Sequence, residues 1–156
     1  MTEKIHEMRR SDRKLTDEET KQILAKGEYG ILSTYGEDGY PYGVPLSYVY
    51  AGEKIYFHCS SEDGYKIQNM KYCNKVCFTV VGNTKVLPEQ FATRYESVIA
   101  YGEVREVTDK LPVLKMIQEK YSPDYAEKGI KYAISALDRV SIYEMHIKKM
   151  TGKAKK

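Results

Sequence analysis

A lysine, a histidine and a polar loop lie close together at one predicted strand–helix junction. The β-rich stretch KIYFHCS, Lys54 to Ser60, runs into the loop SEDG, and a short helix is predicted to begin near Tyr65. The first amides of a helix lack intrahelical partners and favour anions. Lys66 in the first turn is unfavourable against the helix dipole unless an anion is bound. The junction therefore predicts a phosphate site, although Glu62 and Asp63 could satisfy the same helix end and leave Lys66 in solvent.

The other reactive side chains indicate less. His58 follows Phe57 near the end of the predicted strand, and an isolated histidine is more often a hydrogen-bonded scaffold residue than a catalyst. Cys59, Cys73 and Cys77 lack the paired spacing of zinc ligands, so we interpret them as buried small hydrophobic residues. The sequence also lacks a glycine-rich dinucleotide fingerprint, a phosphate loop and a nucleophile elbow. We therefore predict no metal site, and none of these motifs identifies a catalytic residue.

The stretch YPYGVPLSYVY, Tyr40 to Tyr50, is unusual because the two faces of the strand it predicts differ in size. The bulky face comprises Tyr40, Tyr42, Val44, Leu46, Tyr48 and Tyr50, and the small face comprises Pro41, Gly43, Pro45, Ser47 and Val49. Pro45 has no amide proton, which places it at a sheet edge, a bulge or a gap between strands. The small face could accept a flat aromatic ligand, or it could allow a tight strand crossing at a barrel corner.

Hydrophobic periods and turn signals predict a mostly β chain. Thr16 and Glu19 form a capping box for a helix that ends near Lys26, and later helices are expected at 65–72, 108–122 and 124–137. Strands are expected at 29–35, 40–50, 54–60, 75–82, 96–107 and 139–150. Turns alone join the first three strands, which predicts a meander, and 83–95 is expected to be irregular. These features favour a small antiparallel barrel over a parallel doubly wound sheet.

Length and composition predict one domain, residues 1–156, in a reducing, cytoplasmic setting. The net charge is only +3, from 25 basic and 22 acidic residues, so no overall field favours nucleic acid. The three cysteines are an odd number, and neither a hydrophobic leader nor a bilayer-spanning run is evident. The basic end, residues 148–156, is expected to be a solvated tail. The 15 tyrosines suit an interface or a ligand cleft.

Seven motifs follow one another in a specific order along the chain: MRRSDR, GEYGILST, GYPYGVPLSYVY, KIYFHCSSEDGYK, KVCFTVVG, RYESVIAYGEV and MTGKA. In this order the chain resembles the nitroimidazole-resistance branch of the pyridoxamine phosphate oxidase-like flavoproteins, over nearly its whole length. The resemblance implies a six- to seven-stranded antiparallel split β-barrel with flanking helices. It also implies a homodimer that holds FMN in clefts between its two subunits.

The resemblance further implies which residues bind the cofactor. They are Val44, Pro45, Leu46 and Ser47 along the isoalloxazine; Phe57 and His58 near the ribityl chain and ring; Gly64, Tyr65 and Lys66 at the phosphate; Arg94, Tyr95, Ser97 and Val98 as further flavin neighbours; and Thr151, Gly152 and Lys153 closing near the cofactor. Members of this branch usually have histidine where Tyr65 stands. Tyrosine can donate to a phosphate but carries no positive charge. The resemblance therefore implies cofactor binding more directly than an activity that depends on that histidine.

The function that the resemblance implies is an FMN-dependent oxidoreductase that reduces a small electron-poor molecule such as a nitroimidazole. No residue is an obvious acid or base for the reacting nitrogen, so no catalytic residue is assigned. One alternative is a non-catalytic binder of flavin or haem. Another is oxidation of pyridoxamine phosphate, which fits less well, because the sequence shows no basic cluster for a substrate phosphate beyond Lys66, Arg94 and the tail.

Overall fold

Seven strands and four α-helices make up most of the described chain. The computed structural model describes residues 4–60 and 64–155, so Glu62 and Asp63 lie outside the described residues. The elements are α1 (Asp17–Lys26), β1 (Gly30–Tyr35), β2 (Pro41–Leu46), β3 (Val49–Ala51), β4 (Lys54–Ser60), α2 (Tyr65–Tyr72), β5 (Lys75–Leu87), β6 (Ala92–Val107), α3 (Leu111–Tyr121), α4 (Ala126–Ala136) and β7 (Val140–Lys155). All seven strands belong to one antiparallel sheet, which confirms the predicted mainly β fold.

The sheet is open, and its two edge strands follow one another in the chain. The strand order is β2-β1-β5-β6-β7-β4-β3. β2 pairs with β1 and β3 pairs with β4, so the chain crosses from one edge to the other between Leu46 and Val49. The expected meander is therefore wrong: the stretch from Tyr40 to Tyr50 forms two edge strands instead of one. Pro45 lies in edge strand β2, the position in a sheet that tolerates a residue without an amide proton. This topology is the split β-barrel that the resemblance implies.

Tyr48 fixes the crossover between β2 and β3. Its side chain is fully buried, and its ring meets Phe78 edge-on with the centroids 4.9 Å apart. Its hydroxyl donates to the carbonyl of Leu24, and its amide donates to the hydroxyl of Tyr121 at 3.0 Å. The ammonium group of Lys120 lies 3.9 Å from the centroid of the Tyr48 ring and donates to the Tyr48 carbonyl at 3.0 Å. Residues of α1, α3 and β5 therefore hold the crossover in place.

Two hydrophobic clusters stabilise the sheet. The larger cluster joins the inner face of the strands to α1 and α2, and its fully buried members are Leu24, Leu32, Tyr48, Ile55, Phe57, Phe78, Val98, Ala100 and Met145. The smaller cluster packs α3 and α4 against β7 through Val113, Leu114, Ala133 and Ile142. The helices begin close to the predicted positions, and the capping box of α1 is confirmed, because the amide of Glu19 donates to the Thr16 hydroxyl at 3.2 Å.

β5 and β6 form a longer hairpin than the sequence predicts. The expected irregular stretch, 83–95, is wrong, because β5 continues to Leu87 and β6 begins at Ala92 after one short turn. Phe91 ends that turn with a φ of 50°. We call the added part of this hairpin, residues 83–95, the arm. Most of its side chains are exposed, so no alternation of apolar and polar residues marks its strands in the sequence.

β7 includes the predicted tail. Residues 148–156 were expected to be solvated, but β7 continues to Lys155, which lies opposite Tyr95 of β6. Gly152 is buried against Thr20 of α1, and the amide of Leu15 donates to the Gly152 carbonyl at 2.9 Å. Pairing with β6 supplies hydrogen-bond partners for the backbone of this segment. Its basic, apolar-poor composition gives no sign of that pairing.

Candidate functional site

The strand–helix junction brings Lys66 back to the end of β4. Lys66 lies in the first turn of α2, whose N-cap is Gly64. Burial raises the pKa of the Cys59 thiol, although a hydrogen bond and the charge of Lys66 act in the opposite direction. Desolvation by the surrounding protein, followed by the Lys66 charge, lowers the pKa of His58. The junction therefore places the Lys66 ammonium and the His58 imidazole near each other at the start of α2.

The backbone at this junction is open to a ligand. A Cβ added to Gly64 would meet no atom within 4 Å, and Gly64 and Tyr65 are both exposed. The ring of Tyr65 lies 6.0 Å from the ring of Tyr42 in β2, at an angle of 40°. The start of α2 and strand β2 are thus in contact, and the residues predicted for the phosphate and for the isoalloxazine lie on adjoining elements.

The small face predicted for β2 is present on the outer side of the sheet. Its exposed members are Pro41, Gly43 and Pro45, which lie opposite Tyr35, Ser33 and Ile31 of β1. Val44 and Leu46, on the other face, pack against the main core. The predicted alternation ends at Ser47, because Tyr48 and Val49 are both buried. The crossover therefore limits the small face to one short edge strand.

The remaining predicted residues lie on β6 and β7. Ser97 is opposite Lys153, Val98 is opposite Gly152, and Thr151 is opposite Ile99. Arg94 lies farther out, where β6 pairs with the arm of β5. These positions form a second set, and they are brought together only by the pairing of β6 with β7.

The first set comprises the predicted cofactor residues of β2 and its crossover, of β4 and of the start of α2, and its β4 members are separated from the second set along β7. Phe57 of the first set lies opposite Tyr143, and Thr151 of the second set follows eight residues later on the same strand. This spacing corresponds to roughly 26 Å along the strand. Pairing within one chain therefore places Phe57 and Thr151 far apart along β7, whereas Pro45 and Thr151 share one row of the sheet with β1, β5 and β6 between them.

Two predicted cofactor residues have no side chain available to a ligand. Phe57 and Val98 are both 0% exposed within the main core, and the Phe57 ring stacks on Tyr143 with the centroids 5.9 Å apart. These positions can contact a ligand only through their backbone atoms. The accessible side chains of the two sets include the apolar Pro45 and the polar or cationic His58, Tyr65, Lys66, Arg94, Tyr95, Ser97 and Lys153.

Tyr95 lies between two cations. Arg13 Nη1 donates to its hydroxyl at 3.4 Å, and Lys153 Nζ lies 5.5 Å from its ring centroid. Desolvation alone would raise the pKa of Tyr95, but hydrogen bonds from Arg13 and Lys153, together with their charges, lower it below the usual value for a phenol. The electrostatic potential at this end of β6 is therefore positive.

The N-terminal segment, residues 4–14, adds basic residues that the sequence analysis missed. Lys14 forms an isolated bridge with Lys153, and Lys149 Nζ lies 2.8 Å from Glu7 Oε1. The segment and the outer face of β6 and β7 enclose a cavity of about 210 Å³, whose lining includes Arg9, Arg10, Ser97, Tyr101, Thr151 and Lys153. The sequence shows no basic cluster for a substrate phosphate beyond Lys66, Arg94 and the tail, and the fold brings Arg9 and Arg10 to the same cavity as Lys153 of that tail. The MRRSDR run was visible, but its spacing does not indicate packing against a strand about 140 residues later.

Other structural features define the remaining surface. A cavity of about 330 Å³ lies farther along the same outer face, with Tyr35, Cys77 and Tyr101 among its lining residues. Cys59, Cys73 and Cys77 are free thiols. Within residues 4–60 and 64–155, no group of three or more His, Cys, Asp or Glu side chains could hold a metal ion. None of the described helices has the length and apolar character needed to cross a bilayer.

An open antiparallel sheet whose edge strands are joined by a crossover defines the class of split β-barrel proteins. The family model described as pyridoxamine 5'-phosphate oxidase matches residues 16–154. The chain therefore belongs to this family. No curated protein sequence matches the chain significantly.

Solved structures from several bacteria share the fold. A Bacteroides thetaiotaomicron protein assigned by name to 5-nitroimidazole antibiotic resistance has a TM-score of 0.73 and 23% identity, covering 90% of this chain and 86% of its own. An FAD-binding protein from Mesorhizobium loti has a TM-score of 0.65 and 23% identity, covering 92% and 98%. HutZ, a haem storage protein from Vibrio cholerae, has a TM-score of 0.65 and 15% identity, covering 88% and 94%. One fold therefore accommodates proteins named for different ligands.

Proposed function

We propose that this chain is an FMN-binding flavoprotein that reduces a small electron-poor molecule such as a nitroimidazole, and that it works as a homodimer. The observation that carries the proposal is the junction at the start of α2. There Lys66 lies in the first helical turn, the Gly64 backbone is open, and the start of α2 contacts edge strand β2 through Tyr65 and Tyr42. Membership of the pyridoxamine 5'-phosphate oxidase family supports the same ligand class.

The start of α2 offers contacts for the phosphate of FMN, and strand β2 offers a surface for its ring. The unpaired amides of the first turn of α2, the Lys66 ammonium and the Tyr65 hydroxyl are donors for a phosphate. On the opposite face of β2 from Tyr42, Pro45 and Gly43 leave a shallow, exposed surface on which a flat ring can lie. A bound flavin supplies the redox chemistry, and the protein binds and orients it. No acid or base is assigned within either set.

A homodimer accounts for the two separated sets of residues. Thr151 lies roughly 26 Å along β7 from the residue opposite Phe57, and three strands separate it from Pro45, so we place the flavin between two chains that each supply one set. Exposed tyrosines lie just before β2 and at the two ends of α2: Tyr40 is 73% exposed, Tyr65 is 68% exposed and Tyr72 is 56% exposed. Such aromatic surface is typical of an interface. Three free thiols are consistent with a reducing, cytoplasmic setting.

The visible absorption spectrum of the purified protein tests the proposal. We expect the bands of oxidised flavin, which bleach with NAD(P)H and return on addition of a nitroimidazole. Addition of FMN to stripped protein at about 100 times its dissociation constant should stabilise the fold by roughly 2.7 kcal/mol. A Soret band would indicate that the protein binds haem, the ligand for which HutZ is named. Flavin bands that do not bleach with NAD(P)H would indicate a flavin-binding protein without reductase activity. Absence of any melting shift with FMN would contradict the cofactor assignment.

A further inference from the structure

Lys120, in the last turn of α3, holds its ammonium group between aromatic rings. Its Nζ atom lies 3.9 Å from the centroid of the Tyr48 ring and 5.1 Å from that of the Tyr121 ring. It donates to the Tyr48 carbonyl at 3.0 Å. Tyr48 is fully buried, and Lys120 is half-buried. The neighbours of this ammonium group are therefore two aromatic rings and one neutral carbonyl.

No acidic side chain offsets the charge of Lys120. Within residues 4–60 and 64–155, no carboxylate forms an ion pair with its Nζ atom. Lys110, which is also half-buried, differs because it donates to the carbonyls of Leu137 and Val140 at 2.8 and 2.7 Å. Since nothing compensates the loss of water around Lys120, burial lowers its pKa to about 8.

An amine in these surroundings is a nucleophile near neutral pH, because only the neutral form of lysine has a free electron pair. An ordinary lysine, with a pKa of about 10.4, is neutral in roughly one molecule in a thousand at about pH 7.5. With a pKa of about 8, Lys120 is neutral in roughly a quarter of the molecules at the same pH. Lys120 therefore combines partial exposure with a large neutral fraction.

We propose that Lys120 is an acylation site and that its acyl donor is a thioester of a short, uncharged carboxylic acid. The neutral amine attacks the thioester carbonyl carbon, the carbon–sulfur bond breaks, and the thiolate leaves. The nitrogen releases one proton to water as the amide forms. The proposal is independent of the flavin, because Lys120 belongs to neither set of predicted cofactor residues.

The acyl product suits a site without charged partners. The amide keeps one N–H group that can donate to the Tyr48 carbonyl, and it places no charge among the rings. Acylation also removes the cation from the Tyr48 ring, and with it the cation–π contact at the crossover. An uncharged acyl group is therefore expected, because an acidic one would lie here without a cation to pair with.

Incubation of the full-length protein with the acetyl thioester of N-acetylcysteamine, followed by peptide mass spectrometry, tests the proposal. At about pH 7.5 the neutral fraction of Lys120 exceeds that of an ordinary lysine by roughly 100-fold, although a less basic amine reacts more slowly per molecule. We therefore expect Lys120 to be acetylated roughly 10-fold faster than Lys115, which is exposed on the same helix. An equal or slower rate at Lys120 would overturn the proposal.

The pH dependence of the rate separates reactivity from access. In the folded protein, acetylation of Lys120 should level off above about pH 8.5, whereas in urea it should continue to rise toward about pH 10. Lys110 is the matched buried control, and it should react more slowly than Lys120 in the folded protein and at a similar rate in urea. Coincident pH profiles for Lys120 in the folded and unfolded protein would contradict an activated amine.

Discussion

The two basic regions of this protein are assembled in opposite ways. The junction at the start of α2 is contiguous in sequence, because His58, Cys59 and Lys66 are separated only by a loop. The region at the end of β7 combines Arg9, Tyr95 and Lys153 from three distant segments. The first region depends on one strand, one loop and one helix, whereas the second depends on strand register and on the docking of the N-terminal segment. Local motifs therefore encode one region and the whole topology encodes the other.

Replacement of Lys66 should produce the largest change in ligand binding. A charge-assisted hydrogen bond to phosphate contributes about 1.5 to 3 kcal/mol, so Lys66→Ala should weaken FMN binding by roughly 10- to 100-fold. Riboflavin lacks the phosphate, so it should bind the wild type and the variant equally. Fluorescence titration of both flavins measures the difference.

Lys71→Ala is the matched control, because Lys71 lies in the last turn of the same helix. It should change FMN affinity little. If Lys66→Ala binds FMN as tightly as the wild type, the phosphate lies elsewhere, and the region around Arg94 and Lys153 becomes its site. The FMN phosphate would then bind at the end of β7 and not at the start of α2.

The glycines of the two regions should differ in their tolerance of a side chain. A Cβ on Gly152 would lie 2.2 Å from Thr20 Oγ1, whereas a Cβ on Gly64 meets nothing within 4 Å. Gly152→Ala should therefore force α1 away from β7 and destabilise the fold by about 1 to 3 kcal/mol. Gly64→Ala should leave stability nearly unchanged. Urea denaturation of both variants measures this, and equal stabilities would contradict the close packing of α1 on β7.

Features built from neighbouring residues could be predicted from the sequence, and features built from distant residues could not. The capping box at Thr16 and the junction at Lys66 were predictable, because a few neighbouring residues determine a helix start. The crossover at Tyr48 was not, because it depends on Tyr121 and Leu24, which lie far away in the chain. Strand pairing of the basic end was hidden for the same reason. Composition indicates a solvated tail, and only the partner strand β6 reveals a sheet.

The crossover next to the junction should respond to pH through Lys120. Burial lowers the pKa of Lys120 to about 8. Between about pH 8 and pH 10 the unfolded chain therefore binds more protons at this position than the folded chain, so this residue should make the fold more stable as the pH rises. Burial raises the pKa of the Tyr48 hydroxyl, which opposes the trend above about pH 10.

Lys120→Met keeps the aliphatic stem and removes the titrating group. Urea denaturation at pH 7.5, 8.5 and 9.5 should show a smaller rise in stability for the variant than for the wild type. Parallel curves would mean that Lys120 does not titrate in this range, and the ammonium would then not be desolvated over the Tyr48 ring. If the crossover also positions the small face of β2, FMN affinity of the wild type should rise with pH in the same range.

The smallest expected effect concerns Tyr65, which stands where the nitroimidazole-resistance branch usually has histidine. Imidazole and phenol can each donate one hydrogen bond to a phosphate, so Tyr65→His should leave FMN affinity equal or raise it by less than about 1 kcal/mol. Any gain should grow below about pH 6.5, where imidazole becomes charged. The flavin phosphate also titrates in this pH range and affects both proteins. The quantity to measure is therefore the ratio of the FMN affinity of the variant to that of the wild type at each pH. Tyr65→Phe, which keeps the ring near Tyr42 but lacks the hydroxyl, is the matched control. A tenfold loss in Tyr65→His with normal binding in Tyr65→Phe would show that the ring, not its hydroxyl, contacts the flavin.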